Sequence, residues 1–183
     1  MITYIDSFIK KDAVIELQNF LKESSSWENL RKSEAPPYML ELSYQNQEIA
    51  RQMVASSISA SQESNLEKIA TICVGYKLPK FSCSYMNFFK YETGAGLGVH
   101  SDVRPPGEIP DGTNFCSIIL YINDDYSGGA FKSYENGSSE PTMQIQPSAG
   151  SIVAMPNYVL HESTEIISGN KYIAVMHWYN RGA

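Results

Sequence analysis

The residues of this chain best suited to chemistry are its three histidines, His100, His161 and His177. His100 lies two positions before Asp102, directly after a glycine-rich turn. Side chains at positions i and i+2 of an extended strand leave the same face, so this imidazole and this carboxylate can bind one cation between them. A lone His-x-Asp pair is weak evidence for a metal, and a third ligand must come from elsewhere in the chain.

Either of the other two histidines could supply that ligand. His161 follows a predicted strand, and His177 lies within the last one. Two histidines and one carboxylate are the ligand set of non-haem Fe(II) oxygenases, which leaves positions on the metal open for substrates. A single histidine after a strand is more often a core or surface residue. The joint pattern, and no one residue, therefore indicates the metal site.

A lysine ten positions after His161 adds a positive charge to this pattern. In an extended strand Lys171 and His177 share one face, and Trp178 lies on the other. Lys171 can extend its ammonium group to solvent, or it can point into the interior, where a buried ammonium group needs an acidic partner. The residues alone leave both orientations open.

The elements that must position these residues change in character after Pro79. Before it, apolar residues spaced three and four apart predict a helix within residues 10–25 and two more within 46–76, broken near residues 59–64. Residues 24–40 are predicted to form a loop, because prolines interrupt them.

Short strands separated by turn residues follow Pro79. They are predicted over residues 81–91, 113–123, 129–134, 142–146, 151–156 and 171–180. Many short strands of this kind are typical of a sandwich or a jelly roll. We therefore predict one α+β domain over residues 1–183, in which residues 1–78 are mainly helical support and residues 79–183 form the catalytic β core.

Composition excludes several classes of partner. The net charge of −6 argues against nucleic acid and anionic membranes, which attract an excess of Lys and Arg. No apolar run approaches the roughly 20 residues of a membrane span, and the first residues lack the pattern of a signal peptide. Cys73, Cys83 and Cys116 form no CxxC pair. We therefore expect reduced thiols and a cytoplasmic protein.

Residues 81–181 resemble the 2-oxoglutarate- and Fe(II)-dependent oxygenases, and among them the prolyl 4-hydroxylase-like branch. Five features occur in that family's order. A tyrosine precedes a Gly-rich turn and His-x-Asp in FKYETGAGLGVHSD, and a Tyr-hydrophobic-Asn strand end precedes a Gly-Gly turn in CSIILYINDDYSGGAF. Gly-x-hydrophobic, a proline, the distal histidine and the basic residue follow in SAGSIVAMPNYVLHESTEIISGNKYIAVMHWY. The resemblance implies a double-stranded β-helix, or jelly-roll, core with N-terminal helices supporting its major sheet.

The resemblance implies that His100, Asp102 and His161 ligate the iron. The reaction of the family is the oxidative decarboxylation of 2-oxoglutarate to succinate and carbon dioxide, coupled to hydroxylation of an unactivated C–H bond. Fe(II), 2-oxoglutarate and O2 are therefore the implied cofactors, with ascorbate as a candidate reductant. The cofactors perform the difficult step, while the protein orients the target and keeps solvent out.

The resemblance also implies a cosubstrate site. Lys171 would bind the far carboxylate of 2-oxoglutarate, with the Tyr121 hydroxyl as its helper and Tyr91 lining the same pocket. Lysine replaces the family's more frequent arginine and gives up a bidentate contact. His177 stands six positions after Lys171, where prolyl hydroxylase-like enzymes often carry an aromatic residue. It is either a group beside the metal or the near carboxylate, or a hydrogen-bonded core histidine.

The favoured function is hydroxylation of a prolyl residue in a peptide or protein substrate. The same chemistry on a free amino acid or small metabolite is the first alternative. A non-oxidative, metal-binding jelly roll of the cupin kind is the second, and Lys171 and Tyr121 argue against it. We expect Arg104, in a proline-bearing rim at residues 104–110, and Trp178 near the target ring. The sequence is compatible with a monomer or a homodimer.

Overall fold

Two helices and thirteen strands make up the regular structure of the described part of the chain. The structure is a computed structural model that describes residues 1–29, 39–58, 81–103 and 112–181. The helices are α1, Lys11–Glu23, and α2, Tyr44–Ser57. The strands, in chain order, are β1 Thr3–Ile5, β2 Trp27–Asn29, β3 Met39–Leu42, β4 Phe81–Tyr91, β5 Leu97–His100, β6 Gly112–Tyr121, β7 Ser127–Gly128, β8 Phe131–Tyr134, β9 Pro141–Ile145, β10 Ile152–Pro156, β11 Leu160–Ser163, β12 Ile166–Ser168 and β13 Lys171–Arg181.

The strands form two facing antiparallel sheets and a short ribbon. The major sheet has the order β1-β10-β6-β13-β4-β3-β2, the minor sheet has the order β5-β11-β8-β9, and β12 pairs with β7. Apolar residues of both sheets meet in one buried cluster, with Ile119 and Ile173 from the major sheet and Phe131 from the minor one. The predicted jelly-roll core with supporting helices is confirmed.

Strand β13 divides the interior into two layers, because its side chains alternate between the faces of the major sheet. One face contributes to the cluster between the sheet and the helices through Tyr172, Ala174, Met176 and Trp178. The other face lines a cavity between the two sheets through Lys171, Ile173, Val175 and His177. The alternation predicted for this strand is correct.

Helix α1 forms where the apolar spacing predicted it. Val14, Leu17 and Leu21 are buried, and Phe20 packs against the same cluster. Helix α2 buries Ala50 and Val54, and Met53 of the predicted apolar spacing packs against the same cluster. Ile49, which belongs to the same spacing, is instead exposed.

Polar contacts explain the orientation of α2. Gln47 donates a hydrogen bond from Nε2 to the Leu42 carbonyl at 2.9 Å, and Arg51 donates from Nε to the Met86 carbonyl at 2.8 Å. The backbone of β3 and β4 therefore offers acceptors to the polar side of this helix. Apolar spacing alone could not indicate such contacts.

The loop predicted over residues 24–40 is wrong in part. Strand β2 forms within it, and β3 begins at its end and pairs with β4 at the edge of the major sheet. Both strands are too short to show alternation, and they are fixed by pairing with neighbours distant in sequence. The ring of Trp27 lies 5.7 Å from that of Tyr172, which ties β2 to the helix-side core. The N-terminal third therefore adds strands to the major sheet as well as helices.

Some predictions fall outside the described residues. The second helix predicted between residues 59 and 76 is one of them. Cys116 is described, and it is a buried free thiol, as expected. Among the described helices, none combines the length and the apolar character needed to cross a membrane.

The glycine pair predicted as a tight turn connects β7 to β8. Gly128 has φ +76°, a conformation that L side chains rarely adopt. A Cβ added there would lie 2.2 Å from the Glu165 carbonyl oxygen. The close approach of β7 to β12 therefore requires glycine at this position. The turn leads directly into the wall of the cavity between the sheets.

Candidate metal and cosubstrate site

Two paired strands bring together the first three candidate residues. His100 ends β5 and lies opposite His161 of β11, with the ring centroids 4.2 Å apart. Asp102 follows β5, and its backbone N–H donates to the Asn157 carbonyl at 2.9 Å. One Asp102 oxygen lies 3.6 Å from His100 Nε2, and the other lies 4.0 Å from His161 Nε2. The candidate ligand atoms all lie within 4.8 Å of one another.

Both imidazoles are oriented by main-chain carbonyls. His100 Nδ1 lies 2.8 Å from the Gly98 carbonyl oxygen, and His161 Nδ1 lies 3.0 Å from the Val159 carbonyl oxygen. A carbonyl only accepts a hydrogen bond, so each Nδ1 carries the hydrogen. The Nε2 atom of each ring then faces Asp102. Metal-binding histidines are commonly fixed in this way.

His161 is held neutral by its surroundings. It is buried, and Phe131 stacks on its ring at 5.7 Å between centroids. Burial lowers the pKa of His161, although the charge of Asp102 and the hydrogen bond to Val159 act in the opposite direction. Only a neutral imidazole has a lone pair to give a cation.

The donor set fits a divalent transition metal. Two imidazole nitrogens and one carboxylate oxygen converge, and His100 is partly exposed on one side of them. This set suits Fe(II) and occupies only part of its coordination sphere. The residues present therefore fit an Fe(II) site with room for further ligands.

Lys171 is the most unusual charged residue among those described. It lies at the start of β13, is only 1% exposed and faces the cavity between the sheets. Its Nζ donates to the Gly129 carbonyl at 2.8 Å and to Ser163 Oγ at 2.7 Å. No described carboxylate lies within ion-pair distance of it. Burial lowers the pKa of Lys171 to about 7.

Two tyrosine rings flank this ammonium group. Nζ lies 5.3 Å from the ring centroid of Tyr91 and 5.2 Å from that of Tyr121. Tyr91 is the partner of Lys171 across the β13–β4 ladder. Burial raises the pKa of Tyr121, which keeps its phenol neutral. Aromatic faces offset part of the cost of a buried cation. An ammonium group has three N–H donors, and the hydrogen bonds to Gly129 and Ser163 leave one for an anion.

The metal ligands and Lys171 line one cavity of about 150 Å³. Ser163 links them, because it lies two positions after His161 on the same strand face and accepts the hydrogen bond from Lys171. Two strand residues span about 7 Å. The cavity therefore presents both a cation site and an ammonium group, linked through His161 and Ser163 of β11.

His177 lines the same cavity. Its Nδ1 lies 3.2 Å from the hydroxyl oxygen of Ser117, a buried residue of the neighbouring strand β6. It does not belong to the metal-binding cluster formed by the described residues. The structure thus favours His161 over His177 as the third ligand, and it shows His177 as a residue that contacts Ser117 and lines the cavity.

The sequence predicts that Arg104 and Trp178 lie near the target ring, and the structure describes only Trp178. Trp178 packs in the cluster between the major sheet and the helices, on the far side of β13 from the cavity. The prediction for Trp178 is therefore wrong, because the strand alternation that turns His177 inward turns its neighbour outward. Arg104 and the rest of the predicted rim at residues 104–110 lie outside the described residues.

Sequence reasoning missed Ser163 and Phe131. Ser163 could have been found, since its position two residues after His161 puts it on the same strand face. Phe131 had no comparable signal, because its contact with His161 depends on the pairing of β8 with β11.

The comparisons with known proteins agree with this geometry. The model of the 2OG-Fe(II) oxygenase superfamily matches residues 86–180, just over half of the chain. The chain therefore belongs to the 2OG-Fe(II) oxygenase superfamily. This membership implies Fe(II), 2-oxoglutarate and O2 as cofactors and argues against the non-oxidative cupin-like alternative. A search of curated proteins finds no match.

Solved prolyl hydroxylase structures share the fold. One from Trichoplax adhaerens, in complex with a hypoxia inducible factor oxygen degradation domain peptide fragment, gives a TM-score of 0.67 at 16% identity, over 98% of this chain and 83% of that one. The viral collagen prolyl hydroxylase of Paramecium Bursaria Chlorella virus-1, in a 2OG complex, gives 0.63 at 15%, over 97% and 94%. A Pseudomonas putida prolyl-4-hydroxylase gives 0.64 at 17%, over 99% and 92%.

Proposed function

We propose that this protein is an Fe(II)- and 2-oxoglutarate-dependent dioxygenase that hydroxylates a prolyl residue in a peptide or protein. One observation carries the proposal. The buried ammonium group of Lys171, with no described carboxylate beside it, opens into the cavity that presents the three metal ligands. A buried cation of this kind is costly unless a ligand supplies the missing charge.

In this proposal His100, Asp102 and His161 hold Fe(II). The bound metal, 2-oxoglutarate as the co-oxidised substrate and O2 as the oxidant would supply the oxidising chemistry, with ascorbate as the reductant that keeps the metal active. The chain contributes neutral imidazoles fixed by main-chain carbonyls, and a carboxylate fixed through its own backbone N–H. These supports hold the ligand atoms in place before any metal arrives.

Lys171 binds the far carboxylate of 2-oxoglutarate in this proposal. Ser163 and the Gly129 carbonyl aim its Nζ, while Tyr121 stays neutral and can donate its phenol hydrogen to the same carboxylate. Tyr91 covers the ammonium group from the other side. Tight walls around this end exclude water, which strengthens the charged contact.

We propose that His177 lies near the metal and the primary substrate. Ser117 fixes its Nδ1, and the ring faces the cavity with Val175 and Ile173 of the same strand. Its proposed role is to orient a substrate or the near carboxylate, so replacing it should slow turnover without removing the metal.

Two observations support a prolyl substrate. The cavity walls are largely apolar, with Met39, Phe89, Leu97 and Val175 among them, and such walls suit the ring of proline. Proteins of the same fold are prolyl hydroxylases, one of them in complex with a peptide fragment.

Incubation of the purified protein with Fe(II), ascorbate and 2-oxoglutarate tests the substrate. With proline-containing peptides we expect succinate to be released together with a mass gain of one oxygen on the peptide. Free L-proline serves as the parallel small-molecule substrate. Oxidation of free proline or of another metabolite, with every peptide unchanged, would establish the small-molecule alternative instead.

The affinity for 2-oxoglutarate should weaken as the pH rises above about 7. In the ligand-free protein burial lowers the pKa of Lys171 to about 7, whereas a bound carboxylate would keep the proton on Nζ. Binding then takes up a proton, and the dissociation constant should rise by up to about tenfold per pH unit toward pH ~9. Anaerobic calorimetry of 2-oxoglutarate binding to the Fe(II)-loaded protein at several pH values measures this dissociation constant.

Lys171→Arg is the matched control, because a guanidinium group keeps its proton throughout this range. The affinity of this variant for 2-oxoglutarate should not change with pH in this range. A wild-type affinity that also does not change with pH would contradict the role of Lys171.

The same pKa shift of Lys171 affects folding. The unfolded chain retains the lysine proton that the folded chain releases, so the free energy of unfolding of the ligand-free protein should rise with pH above about 7.

A further inference from the structure

A second concavity lies beside the metal site, on the other side of the segment that supports it. It is a groove of about 470 Å³ between the turn after β8 and the turn before β11. We call it the Tyr158 groove. Its lining residues are Tyr134, Glu135, Asn136, Tyr158, Val159 and Leu160.

The Tyr158 groove and the metal site share one segment of chain. The carbonyl of Asn157 accepts from the Asp102 backbone N–H at 2.9 Å, and the carbonyl of Val159 bonds to His161 Nδ1 at 3.0 Å. Tyr158 lies between these two residues and is 68% exposed. The groove and the metal site are therefore neighbours that share the supporting residues 157–159.

The chemistry of the groove favours a cation. Glu135 is exposed and forms no ion pair with any described residue. Glu162 lies next to the groove, where the Tyr134 hydroxyl donates to it at 2.6 Å and Lys132 lies 3.5 Å from it. The hydrogen bond to Glu162 raises the pKa of the Tyr134 phenol, and the charge of Glu140 adds a smaller contribution in the same direction. One carboxylate, that of Glu135, thus lines the groove together with the exposed Tyr158, and Glu162 and Glu140 lie near its Tyr134 edge.

We propose that the Tyr158 groove binds a lysine or arginine side chain of the peptide substrate, at a position flanking the prolyl residue that reaches the metal. This inference rests on the proposed function, because it assumes a peptide substrate. The cationic head would meet the Glu135 carboxylate and the face of Tyr158, while Leu160 and Val159 contact the aliphatic stem.

The charge of the whole chain supports the same occupant. With a net charge of −6, the protein attracts basic segments and repels acidic ones at long range. A free carboxylate beside an exposed ring adds a local preference. An ion pair and a cation–π contact at an exposed site together correspond to about a tenfold difference in affinity.

Binding of fluorescent proline peptides, measured by anisotropy with the Fe(II)-loaded protein under anaerobic conditions, tests the groove. One lysine is moved through successive positions on both sides of the proline, and each peptide has a counterpart with glutamine at that position. We expect one lysine position to bind about tenfold more tightly than its glutamine counterpart. Equal affinity at every position would overturn the proposal.

Variants separate the groove from the overall charge. Glu135→Lys should abolish the preference for lysine, whereas Glu16→Lys makes the same charge change on the exposed face of α1 and should preserve it. Tyr158→Ala should weaken the preference and Tyr158→Phe should retain it, because the aromatic face is the contact. An equal loss in Glu16→Lys would show a long-range effect only and would overturn the proposal.

Mass spectrometry of the same peptides, after aerobic incubation with the protein, Fe(II), ascorbate and 2-oxoglutarate, tests the groove and the proposed function separately. Peptides that bind with the predicted dependence on Glu135 but gain no oxygen would support the groove and contradict prolyl hydroxylation. Peptides that are hydroxylated with no dependence on a flanking lysine would support the proposed function and overturn the groove.

Discussion

Replacing His161 with alanine should abolish tight Fe(II) binding and all turnover that depends on it. The described residues supply three converging donors, and removing one leaves two. Changes to groups that only support metal ligands typically cost about 10- to 100-fold in metal affinity, and loss of a ligand should exceed that. Anaerobic Fe(II) titration followed by equilibrium dialysis measures the effect, and His100→Ala and Asp102→Ala should behave in the same way.

His177→Ala is the matched control for this experiment. It removes an imidazole from the same cavity, but from a position hydrogen-bonded to Ser117 and outside the metal-binding cluster. The variant should keep its Fe(II) and turn over more slowly. If His177→Ala loses the metal while His161→Ala keeps it, the ligand assignment is wrong.

Lys171→Met should raise the concentration of 2-oxoglutarate needed for turnover by roughly 30- to 700-fold. The variant removes the cation that faces the buried carboxylate, and charged contacts of this kind are worth on the order of 2–4 kcal/mol. Methionine has a similar length and no charge, so it fills the space between Tyr91 and Tyr121. Succinate release as a function of 2-oxoglutarate concentration gives the shift.

Thermal unfolding of the ligand-free variant provides the control. Because methionine avoids the cost of burying an ammonium group, Lys171→Met should be at least as stable as the wild type. A weakened affinity in a fully folded variant then reports the lost contact. An unchanged requirement for 2-oxoglutarate would exclude Lys171 from the cosubstrate site.

The parts of the fold that local patterns control could be predicted from the sequence. The apolar spacing of α1 and the alternation along β13 each reflect one layer of the core, so they indicated which side chains are buried and which face the cavity. The alternation in particular placed Lys171 and His177 together.

Elements stabilised by distant partners could not be predicted in this way. Strands β2 and β3 depend on pairing with the sheet edge, and β5 and β11 are short strands whose pairing sets His100 opposite His161. The motif supplied the ligands, but their arrangement depends on strand register, which a single sequence does not show. Trp178 is predicted near the substrate because it follows His177 in the sequence. It lies instead on the far side of the major sheet from the cavity.

The main-chain support of the two histidines has a consequence for sequence divergence. Gly98 and Val159 hold the rings through carbonyl oxygens, which remain when the side chains at these positions are replaced. A Cβ added at Gly98 would meet nothing within 4 Å, so even this glycine can change. Substitutions at Gly98 and Val159 therefore need not rotate either imidazole ring. A metal-binding geometry built on the backbone can therefore persist while the sequence around it is largely rewritten.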